Sequence, residues 1–416
     1  MHNFRVTTLP NSIRLVSEYL PYLQSFSLGF WINVGTRDES INNNGISHFI
    51  EHMVFKGTKK RSAKRISEEI ESYGGYINAF TSKEHTCYYS KGLPKNLGRT
   101  FSVLSDMIQN PLFKDHHIKR EAGVVLDELK DIDDNPEELI YDKFEEVIFR
   151  GNSLSLPVIG VEKNIKKFNS GELLKYHNDN YNRNKLLIVA SGAVSHDELI
   201  KLAEKYIERN SIAQNKKRQN FNPKKADDLI IEKDFQQVHT ILGRTTYGLK
   251  NERRMMIKVL SAVLGQGSSS RLFQAVREKL GITYQIHSFL NSYYDTSAFG
   301  IYYSTNPKQT TKVLEIVNRE MQKLKEKKIS ERELQRVKEY LKGSTLLSLE
   351  STTNRMIRMA NAMLYFGRVI TIEEFLKKID YVTVKDIFEV ANEVLDNEKL
   401  IKVILKSSGE SLKIAA

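Results

Sequence analysis

The chain has 416 residues, 40% of them hydrophobic and 27% charged, with a formal net charge of +12. Cores rarely grow past about 250–300 residues, so at least two domains are expected from a composition that is otherwise ordinarily globular. No apolar run approaches the roughly 20 residues that a membrane-spanning helix needs, which excludes a membrane span and makes the chain a soluble protein on this reading.

The start, Met1-His2-Asn3-Phe4-Arg5-Val6, runs straight into strand-like sequence and carries neither a signal nor a transit pattern, so a cytoplasmic or already mature chain is expected. Strand signals follow over residues 3–19 and 24–34, read as a consecutive pair. The stretch Ile46–Gly57 then reads as a helix ended by glycine, and it holds His48-Phe49-Ile50-Glu51-His52. At about 100° per residue the two histidines stand some 40° apart on the helix surface, with Glu51 in the same sector. Both imidazoles can reach one ion while the carboxylate reaches a water on it, which is the geometry of a hydrolytic zinc site. The order reverses His-Glu-x-x-His and matches the inverted zinc-peptidase signature; surface or core histidines are the plain alternative.

Tyr73-Gly74-Gly75-Tyr76 next turns into a strand through Asn78-Ala79-Phe80-Thr81, followed by the aromatic strand around Tyr88-Tyr89. Cys87, in that strand, is the single cysteine, which rules out an intramolecular disulfide and reads as a buried thiol. A helix over His117–Leu129 supplies carboxylates for the third ligand that two histidines leave wanting. Glu121 and Glu128 are seven apart and share one face, so one can bind the ion while the other orients a ligand. Spacing does not say which, Asp127 is also eligible, and a solvated acidic face is the competing reading.

Further along, Ser170–His177 marks a possible inner boundary before the apolar strand Leu186–Gly192. The polar stretch 209–228 reads as a linker between an N-terminal domain, 1–208, and a C-terminal domain, 229–416. Past it, Leu280-Gly281-Ile282-Thr283-Tyr284 repeats the earlier glycine-marked turn, with strands at 284–291 and 296–304, which points to an old duplication. Strands in consecutive pairs and helices in groups predict an α+β fold with mainly antiparallel sheets in two homologous domains. The basic clusters Lys59-Lys60-Arg61, Lys216-Lys217-Arg218, Lys224-Lys225 and 323–328 are dispersed and lack aromatic platforms; they read as solvated surface, with no nucleic-acid partner.

The run His48-Phe49-Ile50-Glu51-His52-Met53-Val54-Phe55-Lys56-Gly57-Thr58, with Asn78-Ala79-Phe80-Thr81 and Glu121 to Glu128, resembles the pitrilysin family of zinc metalloendopeptidases nearly end to end. It is most similar to the beta subunit of the mitochondrial processing peptidase and its bacterial homologues. The resemblance implies one zinc ion per chain held by His48, His52 and Glu128, Glu51 as general base, and Glu121 as the carboxylate behind the ligands. It implies that Arg277 and Tyr284, from the C-terminal domain, stabilise the oxyanion, and that each chain forms half of a two-lobed clamshell. It further implies extended, unfolded peptides as substrates, added as a strand along Asn78, Ala79 and Phe80, with Phe55 lining an apolar pocket. Glu138 and Asp142, four apart on one helical face, match positions that bind arginine near the cut, which implies a preference for basic residues before the cleaved bond. A homodimer enclosing a chamber is implied as well. Two segments depart from the family pattern: Leu264–Arg271, a reduced glycine-rich loop, and Leu154–Gly160. A noncatalytic relative of the same fold, like the core proteins of a respiratory complex, is the rival reading; such relatives lose part of the metal set, which is complete here.

Overall fold

The computed structural model describes residues 4–207 and 218–408, so the first half of the expected linker lies outside the described residues. Two open sheets carry the fold. In the first, β1 (Phe4–Thr8), β2 (Arg14–Tyr19), β3 (Phe26–Ile32), β4 (Tyr76–Thr81), β5 (Thr86–Gly92) and β6 (Leu186–Gly192) lie in the order β1-β2-β6-β3-β5-β4. In the second, β7 (Leu229–Glu232), β8 (Val238–Tyr247), β9 (Thr283–Ser292), β10 (Thr296–Thr305) and β11 (Ile401–Lys406) lie in the order β7-β11-β8-β10-β9. All neighbours are antiparallel except β2 with β6 and β11 with β7. Apart from β1, the two sheets have one topology, with the parallel pair at the same place. The α+β fold and the repeat expected from the glycine-marked turns are therefore both present.

One expected pairing is not made. Strand β6 inserts between β2 and β3, so residues 3–19 do not pair with 24–34. Every residue of β6 and of β3 is buried, which a central strand covered on both faces requires and a hairpin partner of β2 does not. The β9–β10 pairing, by contrast, falls where the strand signals put it.

Residues divide into two compact units that cross the expected domain limits. The first comprises Met1–Lys130, Leu156–Gln219 and Ser348–Ile370; the second comprises Asp131–Ser155, Asn220–Leu347 and Thr371–Ala416. Burial explains the exchange. The helix Pro136–Ile148 buries Leu139, Ile140, Phe144 and Ile148 with Ile241, Val403 and Leu405 of the second sheet. The helix Thr352–Phe366 buries Met356, Met359 and Met363 with Trp31, Leu187 and Val189 of the first. A Cβ on Gly29 would lie 2.7 Å from Trp31 Nε1 and 2.8 Å from Met356 Sδ, so glycine lets this helix approach β3 without displacing either side chain. The inner boundary expected near Ser170–His177 is absent too, because the helix Ser170–Asn180 and β6 both belong to the first unit.

Cys87 is buried and free on β5, as read. Arg218 departs from the solvated-surface reading. Its guanidinium grips both oxygens of Asp38 at 2.9 and 2.7 Å and donates to the backbone carbonyls of Asn33 and Glu84. Among the described residues no helix is long and apolar enough to cross a membrane.

Candidate metal centre

The first unit's helix Ile46–Val54 is amphipathic. Ile46, Phe49, Ile50, Met53 and Val54 face the core, leaving His48, Glu51 and His52 on the opposite, half-buried side. Its N-terminus is held from a distance. Glu39, itself buried, accepts from the backbone N–H groups of Gly45 and Ser47, both at 2.8 Å, and from the Asn44 side chain at 3.0 Å. Its oxygens there satisfy donors that the helix start leaves orphaned. Gly45 has φ of +96° and a Cβ on it would stand 2.7 Å from Gly160 Cα, so this entry turn needs glycine.

The third donor comes from the helix Asp115–Asp134, which buries Ile118, Glu121 and Val125. Glu128, one turn beyond Val125, brings Oε2 to 3.8 Å from His48 Nε2 and 3.7 Å from His52 Nε2. Donor atoms of the three residues lie within 4.8 Å of one another. Tetrahedral zinc with bonds of about 2.0–2.2 Å places its ligands roughly 3.4 Å apart, so a small inward movement closes the set. Glu128 Oε2 is shielded from solvent and has no hydrogen-bond partner among the described residues, as is true of His48 Nδ1. An unpaired buried carboxylate oxygen is costly, and a divalent cation where three donors converge satisfies it. The residues therefore fit zinc.

Burial and mutual charge set the protonation of these side chains. Burial, and then the neighbouring charge of His52, push the His48 pKa down to about 3, so this imidazole is neutral at neutral pH. At His52 burial disfavours the charge, but the hydrogen bond from Nδ1 to Glu121 at 3.0 Å and the carboxylates of Glu51, Glu128 and Glu121 outweigh it and raise the pKa. Glu121 in turn meets Lys56 Nζ at 2.7 Å. Burial raises the pKa of Glu51 against the pull of Thr81, whose hydroxyl donates to Glu51 Oε2 at 2.7 Å. A carboxylate raised this way is a better proton acceptor.

Among the described residues strand β4 forms the sheet's edge beside this helix, paired only with β5. Ala79 and Thr81 share the face that Thr81 turns toward Glu51, and the Ala79 N–H is capped locally by its neighbour Asn78 at 2.8 Å. Phe80 points the other way and packs on Trp31, His85 and Tyr89. That packing involves the side chain alone, whereas the strand addition expected along Asn78, Ala79 and Phe80 engages the backbone. Phe55 ends the ligand helix, its N–H bonded to His52 O at 3.3 Å, and is partly exposed.

Four expected site residues lie in the second unit. Arg277 sits on the π-helical segment Phe273–Glu278 with its guanidinium 5.0 Å over the Phe273 ring. Tyr284 is the second residue of β9 and 74% exposed. Glu138 is exposed and accepts from Asn135 at 2.8 Å, one turn before Asp142. Sequence reasoning assigned no role to Lys56 or Thr81, although both stand inside quoted motifs, and none to Glu39, which carries no local signal.

Fold and site together define the class: a two-unit α+β protein whose first unit presents a His-His-Glu donor set of the kind that holds zinc in hydrolytic enzymes. Residues 14–162 match the family profile described as insulinase, peptidase family M16, and residues 167–341 match the peptidase M16 inactive domain. The uncharacterized zinc protease YmxG of Bacillus subtilis is 35% identical over 403 residues, covering 96% of this chain and 98% of that one. A Streptomyces coelicolor protein, also named an uncharacterized zinc protease, is 34% identical over 408 residues, covering 96% of this chain and 89% of its own. A crystal structure of a protease from Helicobacter pylori shares the fold, with a TM-score of 0.91 over 98% of this chain and 100% of that one at 23% identity. The chain belongs to peptidase family M16. All three donors and Glu51 lie in the segment matched by the first profile, and Arg277 and Tyr284 in that matched by the second.

Proposed function

We propose that this protein is a zinc endopeptidase that cuts extended, unfolded peptides, with His48, His52 and Glu128 as ligands and Glu51 as general base. The observation that carries this reading is the convergence of three donors on one point with the buried Glu128 Oε2 unpaired. Zinc, when bound, supplies Lewis acidity and a water acidified toward a pKa of about 7. Glu51, aimed by Thr81, takes the proton of the attacking water and delivers it to the leaving amine nitrogen. The edge of β4 offers backbone groups to an extended chain, and the small Ala79 admits it closely. Phe55 lines the apolar pocket for the side chain after the cut. Arg277 and Tyr284, both exposed, donate to the oxyanion, and Glu138 with Asp142 favours basic residues before the cut bond. A homodimer enclosing a chamber, as in relatives of the processing peptidase, completes the reading.

The rival, a noncatalytic subunit of the same fold, is disfavoured by a complete donor set beside a glutamate held ready by Thr81. Digestion of a mixed peptide library by wild type and Glu51→Gln, with metal analysis of both, tests the proposal. Glu51→Gln is expected to retain zinc and lose about 10²–10⁴-fold in kcat. Equal cleavage by the two sinks the mechanism, and a profile indifferent to arginine removes the role of Glu138 and Asp142.

A further inference from the structure

We propose that Lys56 is a positioning residue for metal binding, acting through Glu121 to hold His52 in the tautomer and orientation that present its Nε2 to the ion. This rests on reading His48, His52 and Glu128 as the metal ligands.

Glu121 is only 3% exposed, and each of its oxygens has one partner: Oε1 faces His52 Nδ1 at 3.0 Å and Oε2 faces Lys56 Nζ at 2.7 Å. His52 and Lys56 are four residues apart, so one stretch of chain closes on the carboxylate from two sides. Lys56 is itself fixed. Its N–H bonds Met53 O at 3.0 Å at the end of the ligand helix, and Gly57, at φ of +119°, turns the chain sharply after it. Position here is a property of the helix end rather than of a free side chain.

The arrangement decides two things. A histidine that binds metal through Nε2 must carry its proton on Nδ1, and an acceptor aimed at Nδ1 selects that tautomer. Glu121 is that acceptor, and Lys56 holds the acceptor in place. Glu121 and Glu128 also stand two turns apart on one helix face, where spacing alone leaves either as ligand. With both Glu121 oxygens committed to Lys56 and His52, Glu128 is left to face the ion. Removing the ammonium strands a buried oxygen, and the side chain relieves that by turning away from His52. Direct repulsion between the ammonium and a metal cation predicts the opposite, tighter binding once the charge is gone. The two effects therefore differ in sign.

Zinc affinity of the full-length protein, measured by competition with a chromogenic chelator, separates them. Lys56→Met is expected to weaken binding by about 10–100-fold, the loss usual when a group behind a metal ligand is removed, and Lys56→Arg to recover most of it. Lys56→Met added to Glu121→Gln is expected to weaken binding no further, because Lys56 acts through that carboxylate. Lys56 is about a third exposed, so the variants should fold; Lys56→Gln repeats the measurement if Lys56→Met does not. Unchanged or tighter zinc binding in Lys56→Met overturns the proposal, as do additive effects of the two substitutions. Wild type without zinc affinity, or affinity indifferent to His48→Ala, instead overturns the metal-site reading beneath it.

Discussion

The helix Ile46–Val54 of the first unit and the helix Arg253–Gly265 of the second occupy the same place in the same topology, each between the sheet's inner strand and a glycine turn into its edge strand. Counting back from Gly281 as far as His48 and His52 stand from Gly74 reaches Met255 and Val259, both buried. Glu51 corresponds to Lys258 on the same count. The second helix buries Met255, Ile257 and every residue from Val259 to Gly265, so it is apolar nearly all round. The first leaves one face half-open, where polar groups can meet an ion. A shared architecture therefore supports chemistry in one copy and packing in the other, and a few side chains on one helix face make the difference.

The largest test of this contrast exchanges those side chains. His52→Val is expected to abolish stoichiometric zinc binding, read by metal analysis of the purified protein, while the fold survives, read by circular dichroism. The reverse change, Val259→His, gains no function and is expected to lower stability by at least about 2 kcal/mol in urea unfolding, because a fully buried imidazole needs partners that an apolar core lacks. Equal tolerance of both changes breaks the comparison.

The exchanged helices give the next test. Met356 is fully buried between Gly29 and Trp31, and Met356→Ala is expected to cost about 2–5 kcal/mol in the same assay. A loss under 1 kcal/mol, ~0.7 of a decade in the folding constant, contradicts the packing of that helix on the first sheet.

A smaller effect distinguishes how the two helices begin. Glu39 caps the ligand helix from a distance, whereas the helix of the second unit is capped by its neighbour Asn251, whose Oδ1 accepts from the Arg253 N–H at 2.9 Å. Burial raises the Glu39 pKa from 4.5 to about 7, against its hydrogen bonds to Ser47, Gly45 and Asn44. The folded state then keeps a proton that the unfolded chain releases, so this contribution is complete below about pH 4.5 and is lost as pH rises through about 7. Relative to Glu39→Gln, wild type is expected to lose about 2–3 kcal/mol between pH 4.5 and 8, followed by urea midpoints. Parallel curves for the two proteins remove the claim.

The smallest effect belongs to the exposed pair Lys64–Glu68 at 3.4 Å. Lys64→Ala should change stability by less than about 0.5 kcal/mol, as is usual for solvated ion pairs.

Much of the site was legible because it is local. His48, Glu51 and His52 fall on one helix face through the period of the helix alone, and Glu121 and Glu128 share a face for the same reason. The glycine turns before β4 and β9, at Gly74 and Gly281, have φ of +73° and +62° and announced the repeat. Other features have no local signature. Which sheet an amphipathic helix covers depends on which apolar surface is left open, so the sequence could not place Pro136–Ile148 on the second sheet or Thr352–Phe366 on the first. Strand β6 reads as a buried strand, yet only the finished sheet shows that it parts β2 from β3. Glu121 and Glu128 are equivalent helix positions in the sequence; in space Glu121 is engaged by Lys56 and His52, while Glu128 faces the two imidazoles. Sequence periodicity thus determined which residues share a face, while tertiary packing decided what each face meets, because periodicity is a property of one element and contact a property of two.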